Sequence, residues 1–189
     1  MTQKHQIEKI FKDTGALING HFILTSGLHS PLYLQCAKVL QWPKYADICA
    51  NMLATKIGKD KPDLVVSPAM GGVVIGHALS KFLDCRAIFV ERKNSSFKLR
   101  RGFSINKDEI ALVVEDVITT GGSTLETVSL IQEHGASVQG VASIIDRSNG
   151  KAFQNIIHHS LWQLDLPSYR PEECPLCKLQ INTYKPGSR

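Results

Sequence analysis

The chain has 189 residues, of which 43% are hydrophobic and 21% are charged, so it can bury one sizeable core and is not expected to be disordered. Its 22 basic and 17 acidic residues give a net charge of +5 at pH 7, a modest excess that suits anionic small molecules as well as nucleic acid. The N-terminus lacks the apolar core of a signal peptide and no apolar run could span a bilayer, so we expect a cytoplasmic protein without a membrane partner.

Apolar residues at helical spacing predict two amphipathic helices before the first buried strand, at residues 6–17 and 43–57. Strands and helices then alternate: strand 63–66, helix 73–83, strand 87–90, strand 110–114, helix 124–134 and strand 138–145. This order predicts an α/β fold, with a central, mostly parallel sheet flanked by helices and ligand sites at the carboxyl ends of its strands.

Two stretches break the alternation, residues 19–40 and the proline-containing tail from residue 150. Their apolar side chains need a surface to cover, so we expect them to form a small cap over the open end of the sheet. The predicted organisation is therefore one domain over residues 1–189, with a core of about 43–148. The cap consists of a hood from about residues 1–40 together with the tail, residues 150–189.

Residues 113–124 read V-V-E-D-V-I-T-T-G-G-S-T, an apolar strand followed by two acids and a hydroxyl- and glycine-rich turn. Backbone N–H groups and four hydroxyls would gather at the N-terminus of the next helix, where the helix dipole also favours a phosphate. Glu115 and Asp116 would repel a bare phosphate, so we expect them to serve ribose hydroxyls or a metal ion. The pattern predicts a sugar phosphate with Mg²⁺ as the ligand.

Three other interpretations of these motifs were weighed. Serine and threonine also cap ordinary helices, but paired acids with four hydroxyls exceed what capping requires. A dinucleotide site has no support because no G-x-G-x-x-G occurs in the chain. Residues 71–78 have the glycine spacing of a P-loop, but His77 and Ala78 stand where lysine and serine or threonine are needed.

The acid pair and the T-T-G-G-S-T turn resemble the 5-phosphoribosyl 1-diphosphate (PRPP) motif of type I phosphoribosyltransferases. More narrowly, the chain resembles the orotate phosphoribosyltransferase family over nearly its full length. The shared segments are G-H-F-I-L-T-S-G-L-H-S-P at 20–31, S-P-A-M-G-G at 67–72, L-R-R-G-F at 99–103 and I-I-D-R-S at 144–148. The resemblance implies that orotate and Mg²⁺-bound PRPP give orotidine 5′-monophosphate and pyrophosphate, a step of pyrimidine (UMP) synthesis.

The resemblance also assigns roles by position. The implied PRPP-binding residues are Glu115, Asp116, Thr119, Thr120, Gly121, Gly122, Ser123 and Thr124, with Ala69, Met70, Gly71 and Gly72 as the pyrophosphate turn. The implied orotate-binding residues are Thr25, Ser26, Gly27, Thr119 and Arg147. Mg²⁺ would be held mainly by PRPP, near Glu115 and Asp116, and a cis peptide that the family often has would fall at Ala69–Met70.

Residues 91–108 resemble the family's flexible catalytic loop, which in dimeric members closes over the neighbouring subunit's active site. Leaving-group stabilisation would fall to Arg92, Lys93 and Lys98, which join Asp116 as the catalytic residues, with Arg100 and Arg101 as further candidates. The alternative is a solvated basic hairpin. Well-known bacterial members have a lysine where this chain has Thr25 and a Lys-x-His pair where it has Ser96 and Lys98, so the dominant cation stays open.

The C-x-x-C pair Cys174 and Cys177 allows several interpretations. It supplies two zinc ligands, but a structural site needs four, and only His158 and His159 lie nearby in the sequence. A redox disulfide is a second possibility, and packed, reduced thiols are the preferred one. The remaining histidines show no metal-ligand spacing, and we expect His29 alone among them to merit a test.

Two other functions share these motifs. A purine-directed phosphoribosyltransferase would use the same PRPP turn, and base choice would then depend on the hood and Arg147. A non-enzymatic PRPP-sensing regulator would use the basic segment, but no helix-turn-helix or aromatic stacking set supports a nucleic-acid partner. The expected partners are therefore PRPP, orotate and a second copy of the chain.

Overall fold

The computed structural model describes residues 3–24 and 26–185. Its elements are α1 (Gln3–Asp13), β1 (Leu17–Ile23), β2 (His29–Leu34), α2 (Ala37–Leu40), α3 (Pro43–Ile57), β3 (Leu64–Pro68), α4 (Gly71–Leu83), β4 (Arg86–Lys93), β5 (Ser96–Lys98), β6 (Ile110–Ile118), α5 (Gly122–Glu133), β7 (Ser137–Asp146), β8 (His158–Gln163), a 3-10 turn (Pro171–Glu173) and α6 (Pro175–Lys178). No helix within the described ranges is long and apolar enough to cross a membrane.

The main sheet has six strands in the order β5-β4-β3-β6-β7-β8, and only β5 runs antiparallel to its neighbour. Val65 of β3 pairs with Ala87 of β4 on one side and Leu112 of β6 on the other. Helix α4 connects β3 to β4 and α5 connects β6 to β7, the usual form of a crossover between parallel strands, whereas an irregular segment leads from β7 to β8. The predicted α/β class with a mostly parallel sheet is confirmed.

The central strands bury both faces. In β3, Val65 joins the cluster that includes Ile75 and Leu79 of α4, whereas Leu64 and Val66 join a second cluster with α5. Successive side chains of a strand point to opposite faces, so a strand covered by helices on both sides needs an uninterrupted apolar run. This explains why these strands show no polar alternation in the sequence.

The hood region contains a two-stranded antiparallel hairpin, β1 and β2, whose register shifts between Asn19 and Phe22. The C-terminal tail returns to it at two points, where His29 pairs with Tyr169 and Phe22 with Tyr184. His29 and Tyr169 exchange two backbone hydrogen bonds of 2.8 Å each. The hairpin is therefore held between the sheet and the tail.

Several predicted boundaries need correction. Leu17 begins β1 and does not end α1, because Gly15, at φ 63°, reverses the chain two residues earlier. β6 continues to Ile118, so Glu115 and Asp116 belong to the strand. α5 begins at Gly122, which places Ser123 and Thr124 in its first turn.

The tail differs from the expected cap in one part. His158–Gln163 is a strand of the main sheet, paired in parallel with β7, and its Trp162 packs edge-on against Phe11 of α1. The part beyond β8 reaches the β1–β2 hairpin. The segment is six residues long and carries two histidines and a serine, so its composition gave no clear strand signal.

Candidate active site

The carboxyl ends of β3, β6 and β7 lie together and carry the predicted site residues. Val117 and Ile118 of β6 pair with Ile145 and Asp146 of β7. The turn after β3 approaches β6 so closely that a Cβ added to Gly71 would lie 2.5 Å from Asp116 Oδ1. The predicted pyrophosphate turn and the acid pair therefore share one edge of the sheet.

The acid pair is half-buried. Val117 N–H donates a 2.8 Å hydrogen bond to Asp116 Oδ1, and neither acid has an ion-pair partner within the described ranges. Burial, reinforced by the negative charge of Asp116, raises the pKa of Glu115 to about 8. Burial also raises the pKa of Asp116, although the Val117 hydrogen bond opposes it. Such an uncompensated pair suits hydroxyl donors or a cation.

The turn between β6 and α5 encloses a cavity of about 70 Å³, lined by Glu115 and by residues 117–124. Gly121 occupies the N-cap position with φ 79°, and a Cβ there would lie 3.0 Å from the Phe153 ring. The hydroxyls of Thr119, Thr120 and Ser123 donate no hydrogen bond to a described residue. They do not cap α5, so the capping interpretation does not explain them.

The turn from β3 to α4 depends on its glycines. A Cβ at Gly72 would collide with the carbonyl oxygen of Val114, and one at Gly71 would displace Asp116. The Ala69–Met70 peptide bond is cis, as expected from the resemblance, and Met70 is 80% exposed. Glycine therefore allows α4 to begin directly beside the acid pair.

A second cavity, of about 540 Å³, opens beside the acid pair. It is lined by Ile23, Leu24, Ser26, Tyr33, Leu34, Gln35, Cys36, Asp116, Val117, Thr119, Thr120 and Arg147. Thr119 and Thr120 line both cavities. The hood hairpin thus supplies one wall and the β6 turn the other, with room for a small planar ring between them.

Arg147 is half-buried at this cavity, and burial lowers the pKa of its guanidinium. Its Nε is buried without a partner among the described residues, which is costly unless a ligand accepts the hydrogen bond. Of the other predicted orotate residues, Ser26 lines the cavity and Gly27 lies in the same turn at φ 83°. Thr25 lies outside the described residues.

Asp146 closes the turn in which Arg147 lies, a role that the sequence motif did not reveal. Its carboxylate accepts hydrogen bonds from Ser148 N at 2.7 Å, Ser148 Oγ at 2.6 Å and Gly150 N at 3.0 Å. Burial opposes ionisation, but these hydrogen bonds prevail and lower the pKa of Asp146. The three hydrogen bonds close a tight turn over residues 146–150, and this turn carries Arg147, which lines the larger cavity.

The basic segment, residues 91–108, is not a loop over its whole length, because its first part belongs to the β4–β5 hairpin. Asn94 and Ser95, both at positive φ, form the two-residue turn that joins β4 to β5. The guanidinium of Arg92 lies 4.2 Å from the centroid of the Phe97 ring and pairs with Glu126 at 2.9 Å. These contacts hold residues 91–98, so within the predicted loop, 91–108, only the two-residue turn and residues 99–108 lie outside the strands.

The loop cations differ in their pairing. Arg100 and Arg101 both approach Glu91, whereas Lys93 and Lys98 are exposed and form no ion pair with a described residue. Within the part of the chain that the structure describes, none of the five cations lines either cavity. The single chain therefore brings together the turn predicted to bind PRPP, the acids and Arg147, and leaves the loop cations apart from them.

Four side chains that the sequence did not group lie together where the C-terminal tail meets the hood hairpin. They are His21, His29, Cys174 and Cys177. His158 and His159, which the sequence suggested as companions of the C-x-x-C pair, instead lie on β8, where His158 Nε2 is 2.9 Å from Ser143 Oγ. Only the folded tail brings the cysteines to the hairpin, so sequence spacing held no signal for this cluster.

Comparison with known proteins agrees with this arrangement. Residues 35–161 match the phosphoribosyl transferase domain family, the class that the sheet and its acid-bearing turn define. The chain is 51% identical over 183 residues to orotate phosphoribosyltransferase of Thermotoga petrophila, covering 97% of this chain and 98% of that one. It is 44% identical over 187 residues to that of Caldanaerobacter subterraneus subsp. tengcongensis, covering 99% and 98%. The chain belongs to the orotate phosphoribosyltransferase family of type I phosphoribosyltransferases.

Solved structures share the fold at lower identity. Orotate phosphoribosyltransferase from Aeropyrum pernix superposes with a TM-score of 0.73 at 22% identity, covering 84% of this chain and 93% of that chain. Adenine phosphoribosyltransferase from Rhodothermus marinus has a TM-score of 0.67 at 20% identity, covering 85% and 99%. Enzymes for different bases thus share this architecture, and the fold alone does not select the base.

Proposed function

We propose that this chain transfers the 5-phosphoribosyl group from PRPP to orotate, giving orotidine 5′-monophosphate and pyrophosphate in pyrimidine synthesis. One observation carries the proposal. Hydroxyls that donate no hydrogen bond, two acids without an ion-pair partner and the buried Arg147 Nε without an acceptor, all with respect to the described residues, meet at two adjoining cavities. The proposed domain organisation, a hood and tail around one core, builds the larger cavity from the hairpin and the sheet edge.

PRPP would lie along the β6–α5 turn. Its 5′-phosphate would accept hydrogen bonds from the hydroxyls and backbone N–H groups of residues 119–124, at the positive end of α5. Its ribose hydroxyls would donate to Glu115 and Asp116. Its diphosphate would lie against the backbone of residues 69–72, where Gly71 and Gly72 permit close approach.

Mg²⁺ fits the same end of the site. The acids have no cationic partner among the described residues, and burial raises both of their pKa values, so a dication beside them would be stabilised. We propose that PRPP holds the ion mainly through its diphosphate, with Glu115 and Asp116 nearby. The ion would neutralise charge on the pyrophosphate leaving group.

Orotate would occupy the larger cavity, with Arg147 as its main polar contact. A guanidinium makes paired hydrogen bonds to planar oxygens, and the unpaired Nε of Arg147 is available for one of them. Ser26, Gly27, Thr119 and Thr25 would complete the contacts to the ring. Orotate can present an anionic ring nitrogen itself, so no enzymic nucleophile is needed and positioning carries the rate.

Leaving-group charge would be met by Arg92, Lys93 and Lys98, with Arg100 and Arg101 as candidates. These residues are apart from both cavities of their own chain, which supports supply from a second chain in a homodimer. Lys93 and Lys98 are exposed and have no ion-pair partner among the described residues, so they would not have to break such a pair to do so. The dimer and the cytoplasmic location stay predictions.

An assay of base choice tests the proposal. Purified protein with Mg²⁺ and PRPP should consume orotate and release pyrophosphate, and it should not consume adenine, guanine or xanthine. Magnesium is omitted in the control, and no chelator is added, because a chelator would also strip other metals. Turnover of a purine without turnover of orotate would refute the assignment.

A matched pair of variants assigns the base pocket. Arg147→Ala should raise the KM for orotate by roughly a hundredfold, because a charged hydrogen-bond partner is lost, while the Kd for PRPP changes little. Arg86→Ala, at the amino end of β4 and paired with Glu109, is the control and should leave the KM for orotate unchanged. An equal loss of PRPP binding in Arg147→Ala would contradict the assignment to the base.

A further inference from the structure

Four potential metal ligands from distant parts of the chain lie together where the C-terminal tail meets the hood hairpin. His21 comes from β1, His29 from β2, Cys174 from the residue before α6 and Cys177 from α6 itself. Their ligand atoms all lie within 4.8 Å of one another. His21, His29 and Cys174 are buried, and Cys177 is half-buried.

The distances resemble those of a tetrahedral site. The His21 Nε2 atom lies 3.4 Å from Cys174 Sγ and 3.8 Å from Cys177 Sγ, and His29 Nδ1 lies 3.3 Å from Cys177 Sγ. Zn–S bonds of about 2.3 Å and Zn–N bonds of about 2.0 Å place sulfur and nitrogen ligands roughly 3.5 Å apart. His21 Nε2 and His29 Nδ1 are 2.8 Å apart, and they would move apart by roughly half an ångström to bind one ion together.

The orientation of His21 favours metal binding. Its Nδ1 lies 2.7 Å from the carbonyl oxygen of Ile181. A carbonyl oxygen can only accept a hydrogen bond, so Nδ1 must donate it. Nδ1 therefore carries the proton and Nε2 presents its lone pair to the cluster. A backbone carbonyl that fixes the tautomer in this way is typical of metal-bound histidine.

The cluster lacks another evident purpose. All five cysteines are free thiols, so Cys174 and Cys177 form no disulfide. The two imidazoles are in edge-to-face contact at a ring separation of 4.8 Å and share one 2.8 Å contact between His21 Nε2 and His29 Nδ1, where apolar side chains would pack at less cost. A bound ion removes this cost because it satisfies both nitrogens and both sulfurs.

We propose that His21, His29, Cys174 and Cys177 bind one zinc ion in a closed, structural Cys₂His₂ site. Two thiolates and two imidazoles at tetrahedral spacing select zinc over the oxygen-preferring Mg²⁺ and Ca²⁺. All four ligands come from the protein, so the site has no open position for a substrate and is separate from the Mg²⁺ chemistry proposed above. It does not depend on the proposed function.

The site would fasten the C-terminal tail to the hood. The tail otherwise reaches the hairpin through few contacts, among them the His29–Tyr169 and Phe22–Tyr184 bridges and a 2.9 Å bond from Ser30 Oγ to the carbonyl of Pro167. His21 and His29 flank the turn that carries Ser26, which lines the larger cavity. Zinc would therefore hold one wall of that cavity in place.

Metal analysis of the purified full-length protein tests the proposal. The affinity tag is removed first, because a histidine tag would bind zinc itself, and the zinc content is measured by mass spectrometry. We expect about one zinc ion per chain, lost to background in Cys174→Ser/Cys177→Ser. Cys85→Ser and His159→Asn are matched controls outside the cluster and should keep the full content.

A second measurement covers the case in which the double variant fails to fold. Zinc is removed from the wild-type protein with a chelator, and Co²⁺ is added. The cobalt protein should show the intense visible bands of tetrahedral thiolate coordination, and zinc should displace them and raise the Tm above that of the metal-free protein.

Three results would overturn the zinc site. The first is wild-type protein that binds neither zinc nor cobalt, and the second is zinc content unchanged in Cys174→Ser/Cys177→Ser. The third is a Cys174–Cys177 disulfide in protein purified without reductant, detected by peptide mass analysis.

Discussion

At the scale of single residues, burial raises the pKa of both carboxyls of the acid pair. Glu115 and Asp116 are neighbours on β6, are half-buried and have no cationic partner among the described residues. The structure retains them where apolar residues would be more stable, which is typical of residues kept for binding. Their cost should be visible in the stability of the ligand-free protein.

Glu115 should make the ligand-free protein less stable as the pH rises. Its pKa is about 8 in the folded protein and near the ordinary 4.5 when unfolded. The folded state therefore holds a proton that the unfolded state releases, and stability falls as the pH rises towards 8. Glu115→Gln removes this titration, so its Tm should fall less than that of the wild type between pH 6 and pH 8.

Thermal unfolding without substrates at pH 6 to 9 measures this difference. Glu133→Gln, at an exposed position on α5, is the control and should follow the wild-type profile. Parallel Tm profiles for the wild type and Glu115→Gln would show that Glu115 already ionises normally in the folded protein.

At the scale of elements, two strand-to-helix turns and the strand between them build the proposed PRPP site. The β3–α4 turn supplies the glycines that pack against β6, and the β6–α5 turn supplies hydroxyls that donate no hydrogen bond to a described residue. The close packing of the first turn on β6 positions Asp116, since a side chain at residue 71 would occupy the space of its carboxylate. The position of this acid therefore depends on the glycines of the neighbouring turn.

Gly71→Ala should damage PRPP use without unfolding the protein. The new Cβ would lie 2.5 Å from Asp116 Oδ1, so the carboxylate has to move away from its position. We expect the KM for PRPP to rise roughly tenfold to a hundredfold, because small displacements of positioning groups are costly. Steady-state kinetics with varied PRPP measure it.

Val74→Ala, at an exposed position on the same helix, is the control for Gly71→Ala and should leave the KM for PRPP unchanged. A wild-type KM in Gly71→Ala would mean that Asp116 does not act at the position seen here.

At the scale of the whole molecule, the basic segment is far more ordered than a free loop. Arg92 pairs with Glu126 of α5 and stacks on Phe97, and Arg101 makes two 2.9 Å hydrogen bonds to Glu91. The described cations line neither cavity of their own chain. This arrangement agrees with the proposal that a second chain supplies cations to the pyrophosphate.

Subunit mixing should restore activity to two inactive variants. Asp116→Asn disables the PRPP site, and Arg92→Ala/Lys93→Ala disables the loop. If loops cross between subunits, each mixed dimer has one site with both parts intact, so equal mixing should recover about a quarter of wild-type activity. Turnover is assayed after the proteins are unfolded and refolded together.

Exchange of subunits is verified by mass labelling before activity is measured. Each variant refolded alone is the control and should stay inactive. Full exchange without recovered turnover would show that each loop serves its own chain.

The predicted helix at 43–57 has the bounds that the structure shows, because Pro43 at the first turn and Gly58 beyond the end mark them locally. The strands around 64, 88, 112 and 142 were predictable for a similar reason, since each is a short apolar run between turn residues. β8 was missed because its polar residues form hydrogen bonds that exist only beside β7. The order of apolar strands and helices along the chain predicted the central strands of the sheet. The edge strand β8 could be identified only from its pairing with β7.

Local pattern by itself determined the α/β class, the acid-bearing turn and the family, because a phosphate turn is built from consecutive residues whose backbone and hydroxyls act together. Only the tertiary structure decided which residues from distant segments meet. It placed Gly71 against Asp116, Arg147 and Tyr33 in the lining of one cavity, and two hood histidines beside two tail cysteines. The physical reason is that side-chain contacts depend on how the sheet, the hood and the tail pack in space, and spacing along the chain does not encode those distances.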